Sequence, residues 1–350
     1  MRRLSSARYC GLRCGGMRKV YPRRHSRVVC LPVSSAGCAP PAPSWQHISS
    51  RFTRMLAGGL AANTVSVALA ATGGLKATAR SRALAAMAVT AAMRADCFVH
   101  AWRERKWLTQ EKYPPAPASL AEMYETHLAI QQHPLVASEF GGHAGYKLGA
   151  IGAEGEPCLY APLFSSYIVA APGDGLSAAA INLWQLEPEI GFVMGAGLPP
   201  RADGTPHTAA AAAAAVSKVV LCIELCGKRR TPEAQVKGLG SYADTLSSGG
   251  LVLGPSLAAG AVSLDQLRCA TELLVNGETV AQGSGAEAPL GGPAEALAWL
   301  ANHLNARGLA LAEGAFVATG QTCNTKSCVP GDSVVATFEG LGRVEMVVAP

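Results

Sequence analysis

Acidic residues are missing from the first quarter of this 350-residue sequence, in which no Asp or Glu precedes Asp96. Of the 30 Lys and Arg residues, 15 lie before that position, so residues 1–95 carry a charge of +15. The remainder, with 15 basic and 24 acidic residues, carries −9. A long opening segment rich in Arg, Ser and Ala and free of acid is typical of an organellar transit peptide. We therefore expect residues 1–95 to be a disordered targeting leader, with a mitochondrial location or, as the alternative, a plastid.

The same segment lacks the marks of a nucleic-acid-binding arm, because it has neither a dense Lys and Arg block nor a pattern of aromatic residues interleaved with its charges. No nucleic-acid partner is expected.

A strongly hydrophobic run is also lacking in this segment. Residues 55–75 are uncharged over about the length of a membrane span, but Gly, Ala, Asn, Ser and Thr dilute them. We interpret this stretch as part of the leader rather than as an anchor, and expect no stable membrane insertion.

Paired cysteine motifs are also absent. The eleven cysteines are scattered, four of them fall in the leader, and none forms a CxxC pair. This pattern argues against the disulfide framework of a small secreted domain and favours reduced thiols in an intracellular compartment. With 49% hydrophobic and 15% charged residues, the chain has the balance of a globular protein with a sizeable core.

Turn and capping signals divide the remaining chain into a helical portion, residues 96–144, and a β-rich domain, residues 145–350. Ser119 and Glu122 form a capping box that predicts a helix running toward His133. A second helix is predicted from Pro293, with leucines on one face, to a stop at Gly308. The alanine tract 209–215 predicts a third.

Short apolar runs broken by glycine predict the strands. These runs are Tyr146–Ile151, Ile190–Met194, Val219–Cys226, Leu251–Leu253, Ala270–Val275, Phe316–Thr319, Ser333–Phe338 and Arg343–Val348. Several strands with little helix between them argue against a doubly wound sheet. The expected class is α+β.

Two carboxylates stand one residue apart in the stretch LEPEIGFVM, residues 186–194. In a strand, Glu187 and Glu189 share one face and lie ~7 Å apart, within reach of a common ion. Glu224 lies in the otherwise apolar run 219–226, where a carboxylate is costly to bury unless it is paired or coordinated. Three carboxylates without a nearby histidine suit Mg²⁺ or Mn²⁺. Cys222 and Cys226 share the strand face of Glu224, but their spacing is not a zinc pattern.

Several motifs follow one another along the chain. They are Gly145-Tyr-Lys147-Leu-Gly149, Glu187-Pro-Glu189, Glu224, Tyr242-Ala-Asp244-Thr-Leu-Ser247-Ser-Gly249, Gly283-Ser-Gly285, Leu290-Gly-Gly-Pro293 and Ala298-Trp-Leu300. This ordered series resembles the fumarylacetoacetate hydrolase superfamily, and within it most closely the branch of 2-oxopent-4-enoate hydratases and 4-oxalocrotonate decarboxylases. The resemblance extends from about Leu120 to the C-terminus.

The resemblance implies a mixed β-rich sheet or roll of the fumarylacetoacetate hydrolase C-terminal type and a divalent metal on Glu187, Glu189 and Glu224. It also implies a small 2-oxo acid as substrate, and a homo-oligomer is expected. A metal chelated by the carboxylate and keto oxygen of such an acid acts as a Lewis acid. Lys147 would supply positive charge near the developing oxyanion. Asp244 and Ser247 are placed as catalytic groups by resemblance alone, and no organic cofactor is expected.

Two positions depart from the hydratase pattern. Ser166 follows Leu-Phe-Ser where that branch has an aspartate, and Gly292 stands where it has a histidine. A serine cannot act as a general base at neutral pH without activation, so hydration would need another group. Hydration of a 2-oxo-4-enoate is the leading hypothesis, with decarboxylation or acylpyruvate-type C–C hydrolysis as the alternative. A non-catalytic descendant that keeps the fold as a structural or binding subunit is a further one.

Overall fold

The chain forms seven α-helices and eleven β-strands within residues 79–149, 152–172, 176–325 and 328–350, the residues that this computed structural model describes. The helices are α1 (Ala79–Glu104), α2 (Leu120–Gln131), α3 (Pro134–Glu139), α4 (Ala178–Ile181), α5 (Ala209–Ala214), α6 (Leu239–Tyr242) and α7 (Pro293–Ala306). The strands are β1 (His143–Gly149), β2 (Leu159–Phe164), β3 (Ile168–Ala170), β4 (Leu183–Met194), β5 (Val216–Gly227), β6 (Ser248–Ala258), β7 (Ala270–Val275), β8 (Glu278–Ser284), β9 (Phe316–Gln321), β10 (Ser333–Phe338) and β11 (Gly342–Val347).

The strands form two sheets. Seven make a mixed sheet in the order β2-β1-β9-β4-β5-β6-β3, and four make an antiparallel sheet in the order β11-β10-β7-β8. In the larger sheet β1 is parallel to β9 and β3 is parallel to β6, whereas the other neighbours are antiparallel. The predicted α+β class with a β-rich mixed sheet is confirmed.

The residues predicted to begin and end the two main helices do so in the structure. Ser119 caps α2, and its side-chain oxygen accepts a hydrogen bond from the amide of Glu122 at 3.3 Å. Helix α7 begins at Pro293 and buries its leucines, and Gly308 follows its end with φ +73°. The left-handed conformation at a helix end favours glycine, because it has no Cβ to clash with the backbone.

The central strands β4 and β5 place different side chains on the two faces of the larger sheet. On one face Val193, Val220 and Cys222 pack with Phe316 and Ala318 of β9 in a small apolar cluster. The alternate residues of both strands, including Ile190, Ile223 and Leu225, belong to the main core on the opposite face. By the same alternation Glu187, Glu189 and Glu224 belong to the face of the small cluster.

Strand β1 lies close against β9, which sets the position of Lys147. Gly145 has φ +149°, and a Cβ there would lie 1.8 Å from the carbonyl oxygen of Phe316. Only glycine allows this approach. Lys147 is then paired with Ala318 in the parallel register.

Helix α1 packs on α2 and crosses the predicted boundary between residues 95 and 96. Arg94 is buried, with Nη1 2.9 Å from Glu122 Oε1 and Nε donating to the carbonyl of Pro115 at 2.7 Å. The folded helical portion therefore starts before residue 96. Residues 1–78, which include most of the predicted leader and the uncharged stretch 55–75, lie outside the described residues. Within the described ranges, no helix has the length and apolar character needed to cross a bilayer.

Candidate metal and substrate site

Antiparallel pairing of β4 and β5 brings the predicted carboxylates together. Glu187 lies opposite Glu224 in the register, and Glu189 lies opposite Cys222. One carboxylate oxygen each from Glu187 and Glu224 and the sulfur of Cys226 lie within 4.8 Å of one another. Glu189 and Glu224 have no exposed surface, whereas Glu187 is partly exposed. Two of the three predicted ligands are thus buried and one faces outward.

The buried carboxylates are incompletely satisfied. Glu189 Oε2 accepts a hydrogen bond from the amide of Gly320 at 2.9 Å. Oε1 of Glu189 and Oε1 of Glu224 have no hydrogen-bond partner among the residues that the structure describes. Burial raises the pKa of Glu224 to about 7, and burial together with the Glu224 charge raises the pKa of Glu189 well above its usual range. Buried anionic oxygens without a partner are costly unless a cation compensates them.

Lys147 supplies part of that compensation. Its Nζ lies 2.8 Å from Glu224 Oε2 and donates to the carbonyl of Leu246 at 3.2 Å. Burial is the largest single influence on the pKa of Lys147 and would lower it, but the acidic groups around the ammonium, Glu224 foremost, together outweigh burial and raise the net pKa above its ordinary value. The ammonium group therefore keeps its charge at neutral pH and serves as a fixed cation rather than as a base.

A cavity of about 360 Å³ opens beside these groups. Most of the residues that line it have polar side chains, and they include both Lys147 and Glu187 from the predicted site. The other lining residues are Gly149, Trp184, Gln185, Cys226, Lys228, Arg230, Ser241, Tyr242, Leu246, Ser247, Gln321 and Asn324. The Gln185 amide donates to Glu187 Oε1 and so orients that carboxylate. The volume suits a small polar molecule.

Ser247 reaches the cavity on an unusual turn. Thr245, Leu246 and Ser247 have φ values of 45°, 51° and 61°. Consecutive left-handed residues other than glycine are costly and persist only where the surroundings impose them. The turn directs the Leu246 carbonyl at Lys147 and places Ser247 on the cavity wall.

Asp244, a predicted catalytic residue, is not among the residues that line the cavity. Its carboxylate is 1% exposed and is held by Arg229, with Oδ1 2.5 Å from Nε and Oδ2 accepting from the Arg229 amide at 2.9 Å. Arg229 also donates to the carbonyl of Ser248 and to Thr245 Oγ1. Through these contacts, the ion pair between Arg229 and Asp244 holds the turn that carries Ser247. A direct catalytic role for Asp244 remains a prediction.

The two departures from the hydratase pattern lie away from the cavity. Ser166 is exposed, and its amide donates to the carbonyl of Phe140 at 3.0 Å. Gly292 precedes α7 in an extended conformation, with φ 165°. Neither residue lines the cavity. The absence of an acidic group at position 166 therefore removes nothing from this cavity.

Sequence reasoning missed the cationic part of the lining, Lys228 and Arg230. The signal was present as the consecutive bases of Lys228-Arg229-Arg230 directly after a buried strand. It also missed Arg229 as the partner of Asp244, since that contact joins positions 15 apart across a loop.

The donor set fits a hard divalent cation. When ionised, the three carboxylates carry three negative charges, of which Lys147 compensates one. A divalent ion would balance the other two. Cys226 adds a sulfur atom to this group of possible ligands. Without a metal ion, burial and the Glu224 charge raise the pKa of its thiol well above the ordinary value.

The sequence of this chain is similar to those of known proteins. The sequence profile of the fumarylacetoacetate hydrolase C-terminal family matches residues 147–349. A 2-keto-4-pentenoate hydratase of Paraburkholderia xenovorans is 34% identical over 160 residues, 46% of this chain and 57% of the relative. A 4-oxalocrotonate decarboxylase of Pseudomonas putida is 42% identical over 69 residues, 20% of this chain and 26% of the relative. The chain thus spans little more than half of the hydratase relative.

One solved structure similar to this fold is the 4-oxalocrotonate decarboxylase of Pseudomonas putida G7, complexed with magnesium and adipate. Its TM-score is 0.63 at 24% identity, covering 73% of this chain and 96% of that one. This likeness establishes the shared fold.

The predicted mitochondrial location, and with it the plastid alternative, is wrong. The relatives and the similar structure named above come from bacteria, which lack both organelles. The basic composition that suggested a transit peptide belongs mostly to residues 1–78, outside the described part of the chain. Charge composition alone does not distinguish a targeting leader from other basic segments.

Proposed function

Since this chain belongs to the fumarylacetoacetate hydrolase C-terminal family, we propose that it is a divalent-metal-dependent lyase that hydrates a small 2-oxo-4-enoate, as 2-oxopent-4-enoate hydratase does. One observation carries the proposal. The buried carboxylates of Glu189 and Glu224 each have an oxygen without a hydrogen-bond partner in the described part of the chain, beside a cavity of about 360 Å³.

Glu187, Glu189 and Glu224 would hold Mg²⁺ or Mn²⁺, which prefer carboxylate oxygens. When bound, such an ion supplies Lewis-acid polarisation of the keto oxygen of a 2-oxo acid. The partly exposed Glu187 lies on the cavity side, and the buried Glu189 and Glu224 hold the inner side. The Gln185 amide keeps the Glu187 carboxylate in place.

Lys147 would stabilise negative charge on the substrate. A fixed buried cation is more effective than one in water, because the surrounding dielectric is low and no reorganisation is needed. Its contacts with Glu224 and with the Leu246 carbonyl hold Nζ in one position. Ser247 would orient the attacking water, since its hydroxyl can both donate and accept a hydrogen bond.

Decarboxylation of a 2-oxo acid is the second candidate, and one observation favours it. Among the described residues that line the cavity, Glu187 is the one carboxylate, and it is assigned to the metal. Hydration needs a group that moves a proton to carbon, whereas loss of CO₂ depends mainly on stabilising negative charge.

A panel of 2-oxo acids tests the proposal. The full chain is incubated with 2-hydroxypenta-2,4-dienoate, 4-oxalocrotonate and an acylpyruvate, each with Mg²⁺ or with EDTA. We expect loss of the dienoate absorbance with Mg²⁺ and none with EDTA. Release of CO₂ from 4-oxalocrotonate without dienoate turnover would favour the decarboxylase. Full metal binding with no turnover of any substrate would favour a non-catalytic member of the family.

A further inference from the structure

Cys226 lines the cavity but has no role in the function proposed above. It lies near the end of β5, where Cys222, Glu224 and Cys226 share one face of the strand. Cys222 packs in the small apolar cluster, and its thiol donates to the carbonyl of Glu189 at 3.5 Å. The two cysteines therefore have different surroundings, although each is two residues away from Glu224.

The pairing of β4 with β5 places Cys226 beside carboxylates. Gln185 lies opposite Cys226 and Glu187 lies opposite Glu224, so two neighbouring cross-strand pairs occupy the same face. One oxygen each of Glu187 and Glu224 and the sulfur of Cys226 lie within 4.8 Å of one another. This group does not include Glu189, the third ligand of the proposed magnesium site. A second set of three donor atoms thus overlaps the first.

A buried carboxylate oxygen in this second set indicates that a cation binds there. Glu224 is fully buried, and its Oε1 has no hydrogen-bond partner among the described residues. Its Oε2 lies 2.8 Å from Lys147 Nζ, which compensates one negative charge. A further cation would satisfy the remaining oxygen. The donor atoms around that oxygen then decide which cations fit.

The sulfur of Cys226 changes the ions that such a set can bind. Magnesium takes oxygen ligands, whereas zinc binds thiolates as well as carboxylates. Zinc lies about 2.0–2.3 Å from its ligands, so three atoms as close as these can share one ion. A bound divalent ion outweighs the negative charges that keep the thiol protonated. The sulfur then exchanges its proton for the metal, and the proton passes to the solvent.

We propose that Glu187, Glu224 and Cys226 form a second cation position, which binds thiophilic divalent ions such as Zn²⁺. Glu187 and Glu224 also belong to the proposed magnesium position, so the two ions exclude each other. Zinc therefore displaces magnesium and stops the reaction by taking two of its ligands. This last step rests on the proposed function, because it assumes that the reaction needs magnesium on these glutamates.

The first test titrates Co²⁺ into the reduced full chain. Co²⁺ replaces Zn²⁺ as the probe, because a thiolate bound to Co²⁺ absorbs in the near ultraviolet whereas Zn²⁺ has a filled d shell. We expect one equivalent of this thiolate band, which Zn²⁺ removes. Cys226→Ser and Cys226→Ala should each abolish the band. Cys222→Ser is the matched control and should keep it, because it removes a thiol from the same face of β5 at the same distance from Glu224 along the strand.

Calorimetry separates the two cation positions. Cys226→Ser should weaken Zn²⁺ binding at least about tenfold, since the loss of a residue that only supports a metal ligand already costs that much. The same variant should bind Mg²⁺ nearly as the unmodified protein does, which also shows that it folds. Glu189→Gln should have the opposite effect, with weaker Mg²⁺ binding and an intact cobalt band.

The outcomes distinguish this inference from the proposed function. Absence of the band in the unmodified protein, or its persistence in both variants of Cys226, would overturn the inference alone. An equal loss of the band in Cys222→Ser would also overturn it, since the ion would then not select the sulfur in the cavity. Failure of Mg²⁺ to bind the unmodified protein would overturn the proposed function, while the cobalt band would still decide the role of Cys226.

Discussion

At the scale of single residues, the site depends on the balance between the negative charges of three glutamates and the positive charge of one lysine. Lys147 Nζ lies 2.8 Å from Oε2 of the fully buried Glu224. Glu189, which lies near Glu224, is also buried. Removing one partner of a buried ion pair costs more than the pair contributes, because it leaves an uncompensated charge. We therefore expect Lys147 both to stabilise the fold and to hold Glu224 in place for the proposed metal ion.

Lys147→Met tests this balance. In EDTA at pH 8, above the pKa of about 7 that Glu224 has beside Lys147, we expect the free energy of unfolding to fall by about 3 kcal/mol, because the variant must either bury an unpaired carboxylate or protonate it. Mg²⁺ should then stabilise the variant more than it stabilises the unmodified protein, since the ion replaces part of the lost positive charge. Urea denaturation with and without Mg²⁺ measures both effects. Lys218→Met is the control, and equal stability of Lys147→Met and the unmodified protein would refute the assignment.

At the scale of elements, the sequence predicts most strands and the caps of the main helices but not the pairings between them. Alternation along β4 puts Glu187 and Glu189 on one face, and the structure agrees. That Glu187 faces Glu224 is a matter of register, which depends on contacts between β4 and β5 and leaves no local pattern. The run of bases after β5 is visible in the sequence, but the cavity that two of them line depends on the same pairings.

Local patterns also failed for some elements. Strand β2 contains Pro162, which argues against a strand, and β3 is only three residues long. Helix α1 lies mostly in the acid-free segment that was assigned to the leader. The leader was assigned from its lack of acidic residues and its abundance of Arg, Ser and Ala. The helix is instead held by tertiary contacts such as the Arg94–Glu122 ion pair, which composition does not reveal.

The turn between α6 and β6 gives a second prediction. Arg229→Met and Asp244→Leu should each cost about 3–5 kcal/mol of unfolding free energy, and the double variant much less than their sum. Because Asp244 does not line the cavity and acts only through the turn that carries Ser247, the double variant should lose some kcat, but less than the ~10²-fold expected when a proton-transfer group is lost. Chemical denaturation and the steady-state hydration rate measure the two outcomes. A loss of about 10²-fold or more in a stable double variant would instead show direct proton transfer by Asp244.

Helix α2 carries a pH-dependent contribution to stability. His127 is fully buried, and its Nε2 lies 2.9 Å from the carbonyl of Tyr242. Burial lowers its pKa to about 4, below the 6.5 of an exposed histidine. Protons therefore bind the unfolded state more readily, and the stability present above pH 6.5 is lost as the pH falls toward 4.

The expected loss from His127 is about 1.4 kcal/mol per pH unit within that window. His127→Gln should flatten the dependence of unfolding free energy on pH between 6.5 and 4.5 relative to the unmodified protein, as measured by urea titrations. His207→Gln, on a partly exposed loop, should leave it unchanged. Identical slopes for His127→Gln and the unmodified protein would exclude this contribution.

At the scale of the whole molecule, the folded part of the chain depends on residues that precede the predicted boundary. Helix α1 contributes the buried residues Ala91, Arg94 and Ala95, which lie before the boundary predicted at residue 96. A chain that begins at residue 79 should therefore be more stable than one that begins at residue 96. The expected difference is at least about 3 kcal/mol, because the shorter chain leaves Glu122 without Arg94. Equal unfolding free energies would show that α1 adds nothing.

The central claim is that three glutamates hold a divalent ion on which hydration of a 2-oxo-4-enoate depends. The most direct measurement is the rate of dienoate hydration as a function of Mg²⁺ concentration, for the unmodified protein, Glu224→Gln and the exposed control Glu278→Gln. We predict a rate that saturates with Mg²⁺ and vanishes in EDTA, unchanged by Glu278→Gln. Glu224→Gln should require far more Mg²⁺, since one hard anionic ligand is lost. A rate that is indifferent to EDTA and unaffected by Glu224→Gln would contradict the claim.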